Sequence, residues 1–359
     1  GKCASACSYH AIAFIERPCQ AACGMDAIGL DENGKARIDY DRCVSCGQCL
    51  VSCPFGAIVD KSQIFQVVRS IAEGNTVVAI VAPSFVGQFG KNVTVPKFVA
   101  AMKQLGFSDV VEVAAGADVC AIEEARDFVE KVPAQQKFLA TSCCPSWRMM
   151  ARRLFPNESG NISMTYTPMI YTARLVKHTH PGSKVVFIGP CAAKKLEAMQ
   201  QELRSDVDFV LTYEELMGIF EAKVIDFSQL PDTQELHDAS GLGRGFAAAG
   251  GVAAAVEEVL RRTQPDMEVK IQRADGLREC RRLLTLAKAG KFDGYLLEGM
   301  ACPGGCVAGA GTIIPAEAAK KQLDAHAKQA TVFSCAESPY RAFAGLLEEP
   351  AAREEETKR

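Results

Sequence analysis

Several features that point to particular classes of protein are missing from this chain of 359 residues. It has no run of about 18 apolar residues of the kind that spans a membrane as a helix, and its first residues show neither a signal peptide nor a twin-arginine segment. Its formal net charge is -3 and it has no long block of Lys and Arg. Because nucleic-acid binding depends on clustered cations, we expect a soluble, cytoplasmic protein without a nucleic acid or membrane partner.

The five histidines show no paired spacing of the kind that binds a metal, so we assign them no role. Cysteine, by contrast, is abundant, with 16 residues in the chain. In a large chain without a secretory signal, so many cysteines favour metal ligation over disulfides. Since 48% of the residues are hydrophobic, we expect a small metal-bound module together with a larger globular domain.

The N-terminal region carries a strong iron-sulfur motif. From Cys43 to Pro54 the spacing is C-x2-C-x2-C-x3-C-P, in which three thiolates bind one 4Fe-4S cubane and the fourth binds a neighbouring cluster. The region has eight thiols in all: Cys3, Cys7, Cys19, Cys23, Cys43, Cys46, Cys49 and Cys53. Eight ligands suffice for about two cubanes, which would replace the hydrophobic core that this region lacks.

The division of these ligands between two clusters stays open. One division gives one cubane Cys23, Cys43, Cys46 and Cys49, and leaves Cys3, Cys7, Cys19 and Cys53 for the other. The chain starts in the middle of such a motif, so we expect a module that is truncated at its N-terminus. Two adjacent cubanes without other catalytic groups normally relay electrons, and we interpret the module as an electron wire.

Beyond this module, short apolar runs rich in β-branched residues alternate with helical stretches. The runs predict strands over 76–82, 109–113, 137–140, 184–188, 209–212 and 294–298. Helices are predicted over 61–73, 96–105 and 121–131. This alternation predicts parallel sheets covered by helices on both faces, with ligands at the carboxyl ends of the strands. We predict an iron-sulfur domain over 1–60, a catalytic domain over 61–348 and a charged tail over 349–359.

Three predicted strands run directly into cysteine-bearing loops. The loops are Thr-Ser-Cys-Cys-Pro-Ser-Trp (141–147), Gly-Pro-Cys-Ala-Ala-Lys-Lys-Leu-Glu (189–197) and Glu-Gly-Met-Ala-Cys-Pro-Gly-Gly-Cys-Val-Ala-Gly-Ala-Gly (298–311). They offer four thiols, enough for a further cubane: Cys144, Cys191, Cys302 and Cys306. The Gly-Gly pair of the third loop lets backbone approach a bulky inorganic group closely, and Lys194 offers a cation to an anionic one.

All three loops, in this order, resemble the signature segments of iron-iron hydrogenases, and the resemblance covers nearly the whole chain. It implies an α/β catalytic domain of two lobes with parallel sheets flanked by helices, and a small α+β ferredoxin-like domain. It also implies the H-cluster, a cubane joined to a two-iron unit that bears carbon monoxide, cyanide and an azadithiolate bridge. By motif position, Cys144, Cys191, Cys302 and Cys306 would hold the cubane. Cys306 would bridge to the two-iron unit, Lys194 would hold a cyanide, and Met300 and Pro190 would help form the pocket wall.

The resemblance also implies a route for protons. Cys143 matches the family's proton-delivering thiol, and alignment from the first loop places the rest of the relay on Ser163, Glu124 and Asp127. Lys131 stands where the family often has an arginine at the outer end. Buried carboxyl groups can relay protons because their pKa values are tuned by their surroundings.

The implied activity is reversible interconversion of hydrogen with protons and electrons in an anaerobic cytoplasm. The implied partners are a ferredoxin-like electron carrier and the maturation proteins that install the two-iron unit. The sequence departs from the best-known members at Gly189, at 167–169 and after Gly311. These positions surround the cofactor rather than bind it, so we infer a divergent subgroup.

Two other functions stay open. A sensory hydrogenase usually lacks the relay thiol and carries an added sensor domain. A non-catalytic iron-sulfur assembly protein of the related eukaryotic type has cubanes but no two-iron unit. Among the remaining features, Cys120, Cys280 and Cys335 are expected to be buried structural thiols, residues 241–246 to pack closely near the cluster, and Trp147 to pack behind the first loop.

Overall fold

The computed structural model describes residues 6–9, 11, 17–232, 236 and 239–347, so that Cys3 and the predicted tail lie outside the described residues. The first unit is small. Its elements are α1 (Pro18–Ala21), β1 (Ile28–Leu30), β2 (Ala36–Ile38) and α2 (Gln48–Val51). The two strands form an antiparallel hairpin with Ile28 opposite Ile38. Short helices around a hairpin make this the α+β part of the predicted fold.

The first lobe is built on a four-stranded parallel sheet. In spatial order its strands are β4 (Asp109–Glu112), β3 (Val77–Val81), β6 (Lys184–Gly189) and β7 (Phe209–Thr212). Every residue of β3 is buried, which explains why its sequence is a continuous apolar run.

Helices cover both faces of this sheet. They are α3 (Ile64–Ala72), α4 (Val95–Leu105), α7 (Pro168–Thr179) and α9 (Tyr213–Ala222). Val77, Ala79 and Val81 of β3 face α3, α4 and α9, whereas Val78 and Ile80 face α7. Successive residues therefore pack into opposite layers, as the alternation of side chains along a strand requires.

The second lobe contains a smaller parallel sheet in the order β5 (Leu139–Ala140), β9 (Tyr295–Met300) and β8 (Lys270–Asp275). One face packs against α6 (Pro145–Leu154) and α12 (Leu277–Lys288). The other packs against α5 (Ala114–Lys131) and α11 (Gly251–Thr263). Helix α5 also packs against α7 of the first lobe, so that it joins the two lobes.

The predicted parallel sheets covered by helices are confirmed, and each predicted strand agrees with an observed strand to within two residues. The helix predicted over 121–131 was wrong at its start, because α5 begins at Ala114. Its first two turns are buried throughout and therefore lack the alternation of apolar and polar residues that marks an exposed helix. The remaining helices are α8 (Ala193–Ala198), α10 (Gly241–Gly245) and α13 (Ala316–Ala327). No helix within the described residues is long and apolar enough to cross a membrane.

Candidate metal centre and proton route

The two lobes enclose a cavity at the carboxyl ends of their strands. The centre of a water-sized sphere can occupy about 90 Å³ of this cavity. The segments that follow β3, β4, β5, β6 and β9 all contribute to its wall. The wall includes every predicted residue of the catalytic cluster: Cys144, Cys191, Cys302, Cys306, Lys194, Met300 and Pro190. The structure thus brings together three loops that are far apart in sequence.

The first loop is held from behind by Trp147. This side chain is fully buried, as expected, and its Nε1-H donates a hydrogen bond of 3.0 Å to the carbonyl oxygen of Thr141. A Cβ atom on Gly299 would lie 2.3 Å from the indole ring, so β9 can pass the indole only with glycine there. Cys144 is the residue before α6, which begins at Pro145. Its position is therefore fixed by a helix start and by an indole.

The second and third loops touch through glycine. A Cβ atom on Gly309 would lie 2.4 Å from the carbonyl oxygen of Pro190, and the N-H of Gly311 donates a hydrogen bond of 2.8 Å to the same oxygen. Gly305 has a φ of 93°, in the left-handed region that favours glycine. These contacts place Cys191 beside Cys302 and Cys306.

Three of the four thiols in the cavity have surroundings that oppose their ionised form. Burial, followed by the neighbouring thiols, raises the pKa of Cys191 to about 11 and that of Cys306 to about 12. Burial raises the pKa of Cys302 well above its ordinary value. Thiolates are the metal-binding form of cysteine, so four of them can coexist here only when cations lie between them. The donor set therefore fits an iron-sulfur cluster.

The described residues contain no group of three His, Cys, Asp or Glu side chains close enough to hold one metal ion. In a cubane each cysteine binds its own iron atom, so the ligands lie further apart than those of a single ion. Cys143 and Met169 also line the cavity. Lys194 is buried there, and its Nζ lies 2.6 Å from Glu197 Oε2 and 3.5 Å from the carbonyl oxygen of Cys143.

Glu124 lies directly behind the first loop. Its Oε1 accepts a hydrogen bond of 2.7 Å from the N-H of Ser142 and lies 3.0 Å from Ser142 Oγ. Burial raises the pKa of Glu124 to about 7. Burial, followed by the charge of the nearby Glu124, raises the pKa of Cys143 well above its usual range. At neutral pH the carboxyl group of Glu124 therefore holds a proton in part of the molecules. Its hydrogen-bond partner, Ser142, is the residue before the predicted relay thiol.

The outer predicted residues form a second chain of hydrogen bonds. Ser163 Oγ lies 3.0 Å from Asp127 Oδ2 and 2.7 Å from Thr165 Oγ1, and Lys131 Nζ lies 2.9 Å from Asp127 Oδ2. The contact of Ser163 is thus with Asp127, and the two chains approach each other through Thr165, whose carbonyl oxygen lies 2.7 Å from Ser142 Oγ. The sequence prediction missed Ser142 and Thr165, for which the only sequence signal is their nearness to Cys143 and Ser163.

In the N-terminal unit the structure brings four thiols together. Burial raises the pKa of Cys46 to about 12, and the neighbouring thiols of Cys23, Cys43 and Cys49 contribute to this rise. Cys46 also lines the large cavity. Gly47 has a φ of 78° and lies so close to the third loop that a Cβ atom would be 2.4 Å from Ala310 Cβ. This set of thiols therefore adjoins the catalytic loops.

All eight N-terminal thiols stay predictions as cluster ligands, and the other four lie in different surroundings. Cys19 is buried in α1, and Cys7 is half-buried. Cys53 Sγ accepts a hydrogen bond of 3.3 Å from the N-H of Ala57, and backbone N-H groups lower its pKa. Cys3 lies outside the described residues. As expected, Cys120, Cys280 and Cys335 are buried.

Comparison with known proteins agrees with this geometry. The family model described as the iron-only hydrogenase large subunit, C-terminal domain, matches residues 75–310, and a 4Fe-4S binding domain matches residues 35–58. The fold is that of solved FeFe-hydrogenases. A structure described by its study of oxygen inactivation has a TM-score of 0.65 at 19% identity, over 81% of this chain and 96% of that one.

Relatives of two kinds are similar in sequence. The NADP-reducing hydrogenase subunit HndD of Solidesulfovibrio fructosivorans is 30% identical over 75% of this chain, which spans only 55% of that protein. The periplasmic Fe hydrogenase large subunit of Nitratidesulfovibrio vulgaris is 30% identical over 77% of this chain and 85% of its own length. Cytosolic iron-sulfur assembly component 3 of Bos taurus is 26% identical over 82% and 76%. Since the family model matches more than half of the residues, the chain belongs to the iron-only hydrogenase large-subunit family.

Proposed function

We propose that this protein is an iron-iron hydrogenase that interconverts molecular hydrogen with two protons and two electrons. The observation that carries the proposal is that the cavity is lined by Cys143, Lys194 and Met300 as well as by the four thiols. A cubane accounts for the four thiols alone. A buried cation and a non-ligating thiol beside them fit a second, anionic group that takes up protons.

The chain would hold the cofactor through three kinds of contact. Cys144, Cys191, Cys302 and Cys306 would bind the cubane, and Cys306 would also bind the two-iron unit. Lys194, held by Glu197 at 2.6 Å, would present its ammonium group to a cyanide. When bound, the two-iron unit would supply an open metal site at which hydrogen is formed or split.

The remaining residues would move protons and electrons. Protons would enter at Lys131 and Asp127 and reach Ser163 and Thr165 Oγ1 in the outer chain. In the inner pair, Ser142 Oγ can exchange a proton with Glu124 Oε1 at 3.0 Å, and the carbonyl oxygen of Thr165 orients this hydroxyl by accepting from it. A protonated Glu124 can donate to Ser142 Oγ while that hydroxyl donates to Thr165 O, so both bonds are satisfied at once. Cys143 would carry out the last transfer. Electrons would come from a ferredoxin-like carrier through the N-terminal cubanes.

One rival has direct support. An iron-sulfur assembly protein matches 82% of this chain, and such a protein would use the same four thiols for a cubane. Infrared spectroscopy of anaerobically matured protein separates the two functions. We expect absorption bands of bound carbon monoxide and cyanide, and hydrogen production from reduced methyl viologen. A protein that carries its cubanes yet shows neither bands nor turnover after maturation contradicts the proposal and favours an assembly role.

Cys143→Ala tests the proton route. We expect the variant to keep the infrared bands but to lose turnover by at least roughly 100-fold, because general acid–base groups contribute about that much. Cys120→Ala is a matched control, since Cys120 is a buried thiol that packs in the same core as Cys143. We expect it to keep its activity. Undiminished turnover in Cys143→Ala removes this thiol from the mechanism.

A further inference from the structure

Exposed arginines gather where the N-terminal unit meets the second lobe. Arg42 of the N-terminal unit and Arg281 of α12 approach the same carboxylate, with their guanidinium nitrogens 4.0 and 3.9 Å from Asp26 Oδ2. Long ion pairs between exposed side chains contribute about 0 to 1 kcal/mol to stability. Folding therefore gains little from placing these two cations here.

Two more arginines reach the same place. Arg153 of α6 donates a hydrogen bond of 2.6 Å to the carbonyl oxygen of Cys43, and Arg278 of α12 donates one of 2.7 Å to that of Ala21. Both side chains are exposed. We call the set the arginine ring: Arg42, Arg153, Arg278 and Arg281, with the exposed Arg282 beside them on α12.

The two helices that bear most of these arginines differ in charge from the chain as a whole. Helix α6 has three arginines and no acidic residue, and α12 has four basic residues and one acidic residue, Glu279. The whole chain has a formal charge of -3. Segregated charge of this kind steers a partner of the opposite sign, and arginine in particular is enriched in protein interfaces.

The arginine ring contacts a segment that bears thiols, and one of these thiols also lines the catalytic cavity. Cys43, whose carbonyl oxygen Arg153 contacts, packs with Cys23 and Cys46 against the core between α6 and α12. Cys46 also lines the cavity. A redox protein seated on the ring would therefore lie beside the cluster that adjoins the catalytic loops.

We propose that the arginine ring is the docking surface of a small, acidic electron-carrier protein. The proposal rests on the proposed function and adds the place of electron entry. The reduced carrier would give up one electron at each encounter, and the oxidised cluster of Cys23, Cys43, Cys46 and Cys49 would accept it. Carboxylates of the carrier would pair with the guanidinium groups, which bind such anions with two parallel hydrogen bonds.

The test is the triple variant Arg42→Gln, Arg281→Gln and Arg282→Gln. These side chains are 54, 55 and 74% exposed, so their loss should leave the fold intact. The matched control neutralises three cations elsewhere, Arg69→Gln, Lys320→Gln and Lys321→Gln, which are 66, 53 and 76% exposed. The electron donor is a purified acidic ferredoxin with two cubanes, and cationic methyl viologen serves as the comparison donor.

At low ionic strength we expect the KM for ferredoxin to rise about tenfold in the ring variant, and its dependence on salt to become flatter. Turnover with methyl viologen should stay unchanged, and the control variant should behave as the parent does. An equal KM for ferredoxin in ring variant and parent overturns the proposal. So does an equal rise in the control variant, because the effect is then one of overall charge.

Calorimetric titration with ferredoxin separates this proposal from the proposed function, since it requires no hydrogen chemistry. Binding that is lost in the ring variant supports the docking surface even in a protein that never turns over methyl viologen. A ring variant that binds ferredoxin as the parent does, but no longer binds vesicles containing phosphatidylglycerol, overturns the proposal and assigns the ring to a membrane surface.

Discussion

Glu124 shows how much of the chemistry depends on one buried group. It is fully buried, its Oε1 faces the N-H and the hydroxyl of Ser142, and its Oε2 has no hydrogen-bond partner among the described residues. Such a group is more costly to fold when ionised than when protonated. The same property that destabilises the fold makes Glu124 able to release and take up a proton near pH 7.

Glu124→Gln should change how stability depends on pH. The pKa of Glu124 is about 7 in the folded protein and 4.5 for the ordinary group, so between these values the unfolded state binds fewer protons and parent stability falls as pH rises. Glutamine keeps the acceptor for Ser142 but does not titrate. Relative to the parent, the free energy of unfolding of the variant should rise by up to about 3 kcal/mol as the pH increases from 4.5 to 7. Above pH 8 this difference should stay constant.

Anaerobic denaturant unfolding of the cluster-loaded proteins at several pH values measures this difference. The hydrogen turnover of the variant should fall at the same time, because the amide cannot pass a proton. Parallel stability curves for variant and parent would contradict the assignment of this pKa. Asp226→Asn is a suitable control, since Asp226 is exposed and local hydrogen bonds with Ser228 lower its pKa instead.

The sequence predicts some of these residues better than others. The thiols stand in spaced motifs, so their grouping follows from the motifs and from the resemblance. Ser142 and Thr165 do not, because their place in the route depends on contacts with residues 18 and 23 positions away. Only the packing of α5 and of the segment before α7 against the first loop reveals those contacts.

Among the elements, the buried strands are the most predictable. Strand β3 is continuously apolar, and β7 has the predicted bounds, Phe209–Thr212. Strand β8 was not predicted because it lies at the edge of its sheet and is polar, with Lys270, Gln272 and Arg273 exposed. A buried strand can thus be predicted from the sequence because burial gives it an unbroken apolar run. A buried helix is harder to predict because burial removes the amphipathic pattern, as in the first turns of α5.

Gly309→Ala tests the contact between the second and third loops. The added Cβ would lie 2.4 Å from the carbonyl oxygen and 2.8 Å from the Cβ of Pro190, closer than atoms can approach. The loops must then separate, which displaces Cys191 from Cys306. We expect at least half of the cubane in the catalytic cavity to be lost, as measured by iron content and electron paramagnetic resonance.

Gly245→Ala is the matched control for that substitution. Gly245 ends α10 next to Phe246, which lines the cavity, but a Cβ atom there meets nothing within 4 Å. Alanine should be tolerated and should even favour the helix. If both variants carry the parent's amount of iron, the close approach at Gly309 is not what holds the thiols together.

At the scale of the whole molecule, the site belongs to neither lobe. Ala82 and Val113 reach the cavity from the first sheet, and Cys144 and Met300 reach it from the second. Sequence patterns predict parallel sheets that bind ligands at the carboxyl ends of their strands. They do not specify that these edges of the two sheets face each other. The family resemblance implies that the edges face each other, because it assigns loops of both lobes to one cluster. In the structure, helix α5 packs on both lobes and holds the two edges in this arrangement.

The two parts of the molecule should respond differently to the removal of iron. Among the described residues of the N-terminal unit, the buried apolar side chains apart from thiols are few, namely Met25, Ala27, Ile28 and Val44. The lobes, by contrast, have extensive cores of their own. Because metal-binding free energy acts as folding free energy in small modules, iron removal should unfold residues 17–60 and leave the sheets folded.

Hydrogen exchange measured by mass spectrometry follows both parts in one experiment. After anaerobic removal of iron by a chelator, we expect amide protection over 17–60 to fall at least tenfold, whereas β3 in the first lobe should exchange as slowly as before. The loops at Cys191 and Cys302 should lie between these limits, since glycine contacts and Trp147 hold them without metal. Equal protection of 17–60 with and without iron would mean that its small apolar core is sufficient, and that the clusters serve electron transfer without supporting the fold.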